Sequence, residues 1–217
     1  MSEARLIDLA GERVLLLPEK ALYWPAQKML IIADIHFGKA ASFRALGVPV
    51  PRGTTSENLA ALDALMARYA TEEIMFLGDF LHARAAHASA TVAAMLAWRQ
   101  RNCALRLTLV RGNHDVRAGD PAASLGIDMV DEPHTVGAFS FCHHPDIWGA
   151  GYVLAGHVHP VFLLASRRDS LRLPCFLAGP TRMILPSFGA FTGGHPVNPA
   201  AGEHVYVSSG EAVHCVR

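Results

Sequence analysis

The sequence predicts an α/β fold built as a four-layer αββα sandwich, in which two packed sheets lie between outer helices. In the first half of the chain, apolar β-rich runs alternate with helical patterns in the order β-α-β-α-β, the rhythm of stacked sheet and helix layers. The second half consists almost entirely of short strand patterns. Apolar residues make up 51% of the 217 residues, so a full core can form. No linker or repeat divides the chain, and residues 1–217 are therefore predicted to form a single domain.

Nine short apolar runs are predicted to be β-strands because branched and aromatic residues are frequent in them. Five of these runs lead straight into polar residues. The predicted strands are Arg13–Leu17, Met29–Ala33, Ile74–Leu77, Leu105–Val110, Ala138–Cys142, Tyr152–Ala155, Val161–Ala165, Cys175–Ala178 and His204–Val207.

Two segments have the spacing of amphipathic helices. The segment Thr54–Tyr69 places Leu59, Leu62 and Leu65 on one face, and a threonine at its start can cap the first turn. The segment His87–Arg101 repeats apolar residues at the same interval. These two helices fall between predicted strands, which fits the alternation of the first half.

The charge balance narrows the classes of partner. The chain has 19 Lys and Arg and 19 Asp and Glu, so its formal net charge is zero with neutral histidines. A neutral total argues against a dominant electrostatic footprint for nucleic acid, although it is compatible with a local basic patch. The four cysteines are scattered without metal-site spacing and are expected to be reduced. No signal segment and no bilayer-length apolar run is visible, so we expect no membrane partner and a cytoplasmic location.

Polar residues follow five of the predicted strands directly. They are Asp34 and His36, Asp79 and His82, Asn113, His114 and Asp115, His143 and His144, and His157 and His159. Ligands gather beyond the carboxyl ends of strands in α/β sheets, so these side chains are expected to form one site. Each residue alone has an ordinary explanation as a turn, cap or hydrogen-bonded residue, but those explanations do not predict the whole ordered set. The remaining histidines are expected to be surface or hydrogen-bonded residues.

The residue types in this set suit a pair of divalent metal ions. Two close ions need a bridging carboxylate and several neutral nitrogen or oxygen donors, and the pair clamps the attacking and leaving oxygens of an in-line displacement. Such ions lower the pKa of bound water toward about 7, which gives hydroxide at neutral pH. Manganese, iron and zinc accept mixed histidine and carboxylate ligands. The expected cofactor is therefore two divalent ions, manganese first, with iron, zinc or magnesium as alternatives.

The spacing within the set predicts local geometry. Asp34 and His36 are two residues apart, as are His157 and His159, and in an extended chain such pairs point to the same side. Glycines before three of the polar residues indicate sharp turns off the strands. The Gly-Asn-His-Asp segment is predicted to be a tight loop in which Asp115 accepts a hydrogen bond from the His114 ring.

The ordered blocks Asp-x-His, Gly-Asp-x-x-His, Gly-Asn-His-Asp, His and Gly-His-x-His span residues 34–159 and resemble those of the calcineurin-like metallophosphoesterase superfamily. The resemblance implies a calcineurin-like sandwich that hydrolyses phosphate esters. It assigns the first metal ion to Asp34, His36 and His159. It assigns the second ion to Asn113, His143 and His157, with Asp79 as the bridge. It leaves His114 unbound beside the substrate as a general acid, with Asp115 favouring its protonated form.

Some assignments stay open. His143 and His144 are adjacent and point differently, so one of them is expected to bind; related enzymes have His-x-Pro at this position, and Pro145 therefore favours His143. His82 is expected to hold a ligand residue or the phosphate. His114 has the alternative role of bracing its loop.

The flanking residues resemble a narrower group. The segments Ala33–Lys39, Gly47–Thr54 and Leu185–Gly194 are similar to those of the DNA-ligase-associated metallophosphoesterases, PdeM. That resemblance implies a DNA endonuclease in DNA repair, with a ligase, a helicase and an exonuclease as partners by association. It covers nearly the whole chain.

Basic residues near the first metal ligands are candidates for substrate binding. Lys39, Arg44 and Arg52 are expected to contact flanking phosphates, with a solvated loop as the alternative. The apolar, glycine-rich segment Phe188–Gly194 either stacks a base or ribose or is a packed turn.

Two other functions compete with the DNA nuclease. The first is a phosphodiesterase or phosphatase acting on nucleotides or small molecules, which the zero net charge favours. The second is a metal-free scaffold that binds a partner. The intact ligand set argues against the scaffold, because drift would erase metal ligands first.

Overall fold

The computed structural model describes residues 3–50, 53–165 and 169–217. The strands are β1 (Arg5–Leu9), β2 (Glu12–Leu17), β3 (Ala21–Trp24), β4 (Met29–Ile32), β5 (Glu73–Leu77), β6 (Arg106–Val110), β7 (Ile127–Val130), β8 (His134–Val136), β9 (Phe139–Cys142), β10 (Tyr152–Ala155), β11 (Pro160–Ala165), β12 (Ser170–Ala178), β13 (Arg182–Ile184), β14 (His195–Pro196), β15 (His204–Ser208) and β16 (Val213–Cys215). The α-helices are α1 (Lys39–Ala45), α2 (Thr54–Arg68), α3 (Ser89–Arg101) and α4 (Asn113–Ala118).

The strands form two sheets. The first follows chain order from β1 to β7; its first four strands are antiparallel, and β4 to β7 are parallel. The second has the order β14-β11-β12-β13-β10-β9-β8, with β15 paired to β12 and β16 paired to β15. Strands β9 and β10 are parallel to each other. The strands that precede the predicted ligands therefore run side by side within each sheet, and their carboxyl ends share an edge.

Alternate residues of the first sheet enter two different cores. Leu30 and Ile74 pack with the helices, whereas Ile31 and Met75 pack with Phe139 and other residues of the second sheet. This separation follows from the strand period of two, since successive side chains point to opposite faces. Strands buried on both faces show continuous apolar runs, and the β4, β5 and β6 segments have that pattern.

The predicted α/β class with two packed sheets is confirmed. All four α-helices of the described residues precede Gly119. The outer face of the second sheet instead carries a small apolar cluster around Cys175 and Val205, against which Val197 packs. The α-helices fall before Gly119 because the second half of the chain has strand patterns and no helical period. No α-helix of the described residues is long and apolar enough to cross a membrane.

Helices α2 and α3 confirm the two predicted helices to within two residues at each end. Helix α1 was not predicted, because it has only 7 residues and no side-chain cap. The prediction of a tight loop at Gly-Asn-His-Asp was wrong: Gly112 caps α4, whose first residues are Asn113 and His114. The Asp115 carboxylate accepts from the Gly112 amide at 3.0 Å, and this cap starts the short helix.

Candidate metal centre

The seven predicted metal ligands meet at one edge of the two sheets. Each follows the carboxyl end of a strand: Asp34 and His36 follow β4, Asp79 follows β5, Asn113 follows β6, His143 follows β9, and His157 and His159 follow β10. Three of these strands belong to the first sheet and two to the second. The cluster therefore lies where the two sheets join, and both sheets are needed to build it.

One set of donors surrounds His36. Its Nε2 lies 3.3 Å from Nε2 of His159 and 3.7 Å from Oδ2 of Asp79. The His159 Nε2 lies 3.4 Å from Oδ1 of Asp34. Asp34 and His36 are buried, so these oxygen and nitrogen atoms converge on a point screened from bulk solvent.

A second set of donors surrounds His143. Its Nε2 lies 3.0 Å from Oδ1 of Asn113, 3.0 Å from Nδ1 of His157 and 3.5 Å from Oδ1 of Asp79. The two carboxylate oxygens of Asp79 are thus divided between the sets, with Oδ2 near His36 and Oδ1 near His143. A shared carboxylate between two groups of neutral donors is the arrangement that two adjacent divalent ions require.

The ring nitrogens that face each other fit metal ligands better than hydrogen-bond partners. Nδ1 of His143 lies 2.9 Å from the Leu77 carbonyl and Nδ1 of His159 lies 3.2 Å from the Gly193 carbonyl, so each Nδ1 carries the proton and Nε2 presents a lone pair. Burial, with a smaller effect of nearby positive charge, lowers the pKa of His36 and keeps it neutral. Metal–nitrogen bonds of about 2.0–2.1 Å separate neighbouring ligands by roughly 3.0–3.4 Å, which matches the observed spacing.

Five of the seven predicted ligands adopt a left-handed backbone conformation, and the predicted extended geometry was wrong. Their φ angles are 52° for Asp34, 51° for His36, 50° for Asp79, 69° for His157 and 52° for His159. Asp34 and His36 do reach the site together, as do His157 and His159, but the chain bends at these residues and is not extended. Non-glycine residues in this region cost about 1–3 kcal/mol each and cluster at functional sites. The conformations are held by tertiary contacts, such as the His157 amide that donates to Asp34 Oδ2 at 2.9 Å.

The glycines before the ligands are needed mainly for close approach. Gly78 has a φ of 77°, and a Cβ there would also run into the His143 ring. Gly112 has negative φ, but its Cβ would overlap Asp79. Gly156 leaves room for a carboxylate in the same way. Only at Gly78 does the predicted sharp turn explain the residue.

The structure separates His143 from His144. The nitrogens of His143, His144 and His157 lie within 4.8 Å of one another, so this trio could itself hold an ion. However, His143 is the one that also approaches Asp79 and Asn113, and it is fully buried. His144 points to the rim, with Nδ1 2.7 Å from Glu132 Oε1. We therefore place His143 in the second set.

Glu132 holds the turn at His143 and His144, a role that the sequence did not predict. Its Oε2 accepts from the His143 amide at 2.7 Å and the His144 amide at 2.9 Å, while Oε1 accepts from the His144 ring. Although burial opposes the charge, the hydrogen bonds from His144 lower the pKa of Glu132. Partners of this kind orient metal ligands, and their loss costs roughly 10–100-fold in metal affinity or activity. No motif marks Glu132, because it lies 11 residues before His143 in the chain.

The predicted contact between Asp115 and the His114 ring was also wrong. The buried Asp115 carboxylate accepts from the Leu81 amide at 2.8 Å and from the Gly112 amide. The His114 Nδ1 instead donates to the His82 carbonyl at 2.7 Å, and the two rings stack at 4.8 Å. His114 Nε2 lies 4.0 Å from Asp79 Oδ2, at the edge of the metal ligands. Asp115 therefore fixes the segment that carries His114 without touching its ring.

The predicted substrate-binding residues are distributed unevenly. Lys39 is half-buried and lines a cleft with His36; burial lowers the pKa of its ammonium, and the carboxylates of Asp34 and Asp79 oppose that effect. Arg44 is on the exposed side of α1 and lines a separate surface cleft. Arg52 lies outside the described residues.

The segment after Leu185 holds the backbone at Ala33 and Asp34 by hydrogen bonds, and this role was not predicted. The Phe188 amide donates to the Ala33 carbonyl at 2.9 Å, and Ser187 Oγ donates to the Asp34 carbonyl at 2.8 Å. The Lys20 ammonium donates to the Phe188 carbonyl at 2.9 Å, and burial lowers the pKa of Lys20 to about 8. An apolar run ending in Pro-Ser gives no signal of such a role.

A family profile of the calcineurin-like phosphoesterases matches residues 27–146 of the chain. That span contains the predicted ligands from Asp34 to His143, and His157 and His159 follow it. Among solved structures, the crystal structure of Pseudomonas putida nuclease MPE is similar over 99% of this chain and 100% of its own, with 45% sequence identity and a TM-score of 0.88. No curated protein matches the chain.

Proposed function

The chain belongs to the calcineurin-like phosphoesterase family, and on that basis we propose that it is a dinuclear metal-dependent phosphodiesterase that cuts DNA. The observation that carries the dinuclear part is the division of the Asp79 oxygens between two donor sets. The preference for DNA rests on the similarity over the whole chain to a protein described as a nuclease.

The proposed cofactor is a pair of manganese ions, with iron, zinc or magnesium as alternatives, because mixed carboxylate, amide and imidazole donors suit these ions. Divalent ions held by the two sets would neutralise charge on the phosphate and activate water. The protein's own contribution is to hold neutral imidazoles in a fixed orientation. Burial first, and then neighbouring histidines, lowers the pKa of His157, which keeps its lone pair available.

We assign His114 to the leaving group. Its Nδ1–H is fixed by the His82 carbonyl, so Nε2 is the atom directed to the side of Asp79. With Nε2 protonated, His114 can transfer that proton to the departing sugar oxygen, which otherwise leaves as a poor alkoxide. His82 positions the ring by its carbonyl and by stacking, and Asp115 positions the backbone.

We assign Lys39 to the phosphate. Its ammonium makes no hydrogen bond to other described residues, and it is close enough to Asp34 and Asp79 for their charges to act on it. A cation beside the ligand cluster suits a phosphodiester oxygen. Arg44 and Arg52 are proposed to meet phosphates farther along a strand. A local patch of this kind is compatible with a net charge of zero.

A phosphodiesterase acting on nucleotides or other small molecules is the second candidate. The observation in its favour is the zero net charge, which gives no broad attraction for a polyanion. A repair role with a ligase, a helicase and an exonuclease is part of the proposal for DNA and follows from the resemblance of the flanking segments. A cytoplasmic location is proposed with it.

A substrate panel tests the proposed function. Metal-stripped protein should be inactive, and added manganese should restore cleavage of DNA and of a generic aryl phosphodiester. Single-stranded DNA, duplex DNA, cyclic nucleotides and the aryl diester should be compared at equal enzyme concentration. Cleavage of cyclic nucleotides without cleavage of DNA would favour the second candidate. Full activity after metal removal would contradict the proposal.

A further inference from the structure

Phe191 is an aromatic side chain presented to solvent beside the metal centre. We propose that Phe191, backed by Phe43, is a stacking subsite for the base of the nucleotide that adjoins the scissile phosphate. This inference rests on the proposed phosphodiesterase function and deepens it, because it names a nucleoside as the group recognised.

Hydrogen bonds hold the loop that carries Phe191 on both sides of that residue. The Ala190 amide donates to the buried Asn58 Oδ1 at 2.9 Å, and Thr192 Oγ1 donates to the Gly189 carbonyl at 3.0 Å. Phe191 nevertheless remains 38% exposed. A packed turn would bury this ring, so the hydrogen bonds present it at the surface. A rigid aromatic ring loses little conformational entropy when a base stacks on it.

The ring connects to the proposed catalytic group through a series of aromatic contacts. Phe191 meets Phe43 edge to face at 5.6 Å between centroids. Phe43 stacks on His82 at 6.1 Å with an interplanar angle of 30°, and His82 stacks on His114 at 4.8 Å and 20°. The series leads from the surface to the candidate metal ligands. Phe191 and His36 also line one cleft, so a nucleotide with its base on Phe191 can direct its phosphate toward the centre.

The adjoining cleft has the chemistry of the rest of a nucleotide. Phe191 and the ligand His36 line it together with Lys39, Thr54 and Thr55. The Lys39 ammonium and the two threonine hydroxyls make no hydrogen bond elsewhere in the described part of the chain. An ammonium suits a phosphate, and hydroxyls suit sugar oxygens or a base edge. A ring, a cation and hydroxyls around one cleft therefore fit a nucleoside phosphate better than a simple phosphate ester.

Two esters with the same leaving group test the subsite. Thymidine 5′-(p-nitrophenyl phosphate) carries a nucleoside, and methyl p-nitrophenyl phosphate does not. Stacking of one base contributes a factor of roughly 5 to 150. Phe191→Ala should lower kcat/KM on the nucleoside ester by that factor and leave the methyl ester within about twofold. Phe191→Tyr should retain the wild-type preference, and Leu171→Ala, which changes an exposed apolar side chain on β12, should alter neither rate.

Inhibition gives an independent reading of binding. Thymidine monophosphate should inhibit the wild type more strongly than inorganic phosphate does, and Phe191→Ala should remove that difference. An equal loss on both esters would show that Phe191 supports the loop and not a base. No loss on either ester would also overturn the subsite, while the phosphodiesterase function would stand. Inactivity of the wild type on both esters would instead contradict the proposed function itself.

Discussion

Replacing His114 with alanine is expected to slow DNA cleavage by roughly 10²–10⁴-fold while both metal ions stay bound. A sugar alkoxide leaves poorly unless it receives a proton, and His114 Nε2 is the ring nitrogen left free by the hydrogen bond to the His82 carbonyl. An ester with an acidic phenol as leaving group needs little protonation and should be affected much less. The measurement is the ratio of mutant to wild-type rate on both substrates.

Metal content must be determined for the same preparations, and His114→Asn serves as the matched variant because it retains a polar side chain. If both substrates slow equally with the metals retained, His114 binds phosphate or braces its segment. That result would remove the general-acid role and leave the metal centre untouched.

Asp79→Asn is expected to remove activity more completely than Asp34→Asn. Asp79 offers one oxygen to each donor set. Asp34 instead approaches Nε2 of His159, which belongs to the set around His36. Loss of a residue that only orients a ligand typically costs 10–100-fold in metal affinity or activity, and loss of a shared ligand should cost more than about 100-fold. Asp79 also accepts from the His114 amide at 2.9 Å, so its loss disturbs the segment that carries His114 too.

Manganese titration and cleavage rate should be measured for both variants. Asp79→Asn should weaken both binding steps, and Asp34→Asn should weaken one more than the other. Equal, mild losses with two ions retained in both variants would show that Asp79 does not bridge.

The sequence predicts which side chains meet at the sheet edge because the ends of the strands are visible in it. An apolar run that stops at Asp34, Asp79 or Asn113 indicates both the strand and the edge at which the polar residue lies. The order of the blocks then supports the family, which the family profile confirms. Backbone conformation is a different matter. The left-handed turns at Asp34 and His157 depend on contacts across the chain, such as the one that joins these two residues, and no local pattern encodes them.

Supporting residues were missed for the same physical reason. Glu132, Lys20 and Asn58 act through hydrogen bonds to residues distant in sequence, and as single residues in ordinary surroundings they resemble any surface group. Asp115 was assigned to the wrong partner because adjacency to His114 suggested a contact that the turn of α4 does not permit. Strand β3 was missed because its four residues show no period and, unlike the equally short β4, β9 and β10, it does not lead into a candidate ligand.

The central claim is that two divalent ions bind in two donor sets that share Asp79. Anomalous diffraction at the manganese edge, from crystals at saturating manganese, tests it most directly. Two peaks are predicted, both in contact with Asp79. One should lie among Asp34, His36 and His159, and the other among Asn113, His143 and His157. A single peak or none, or two peaks of which only one touches Asp79, would contradict the claim.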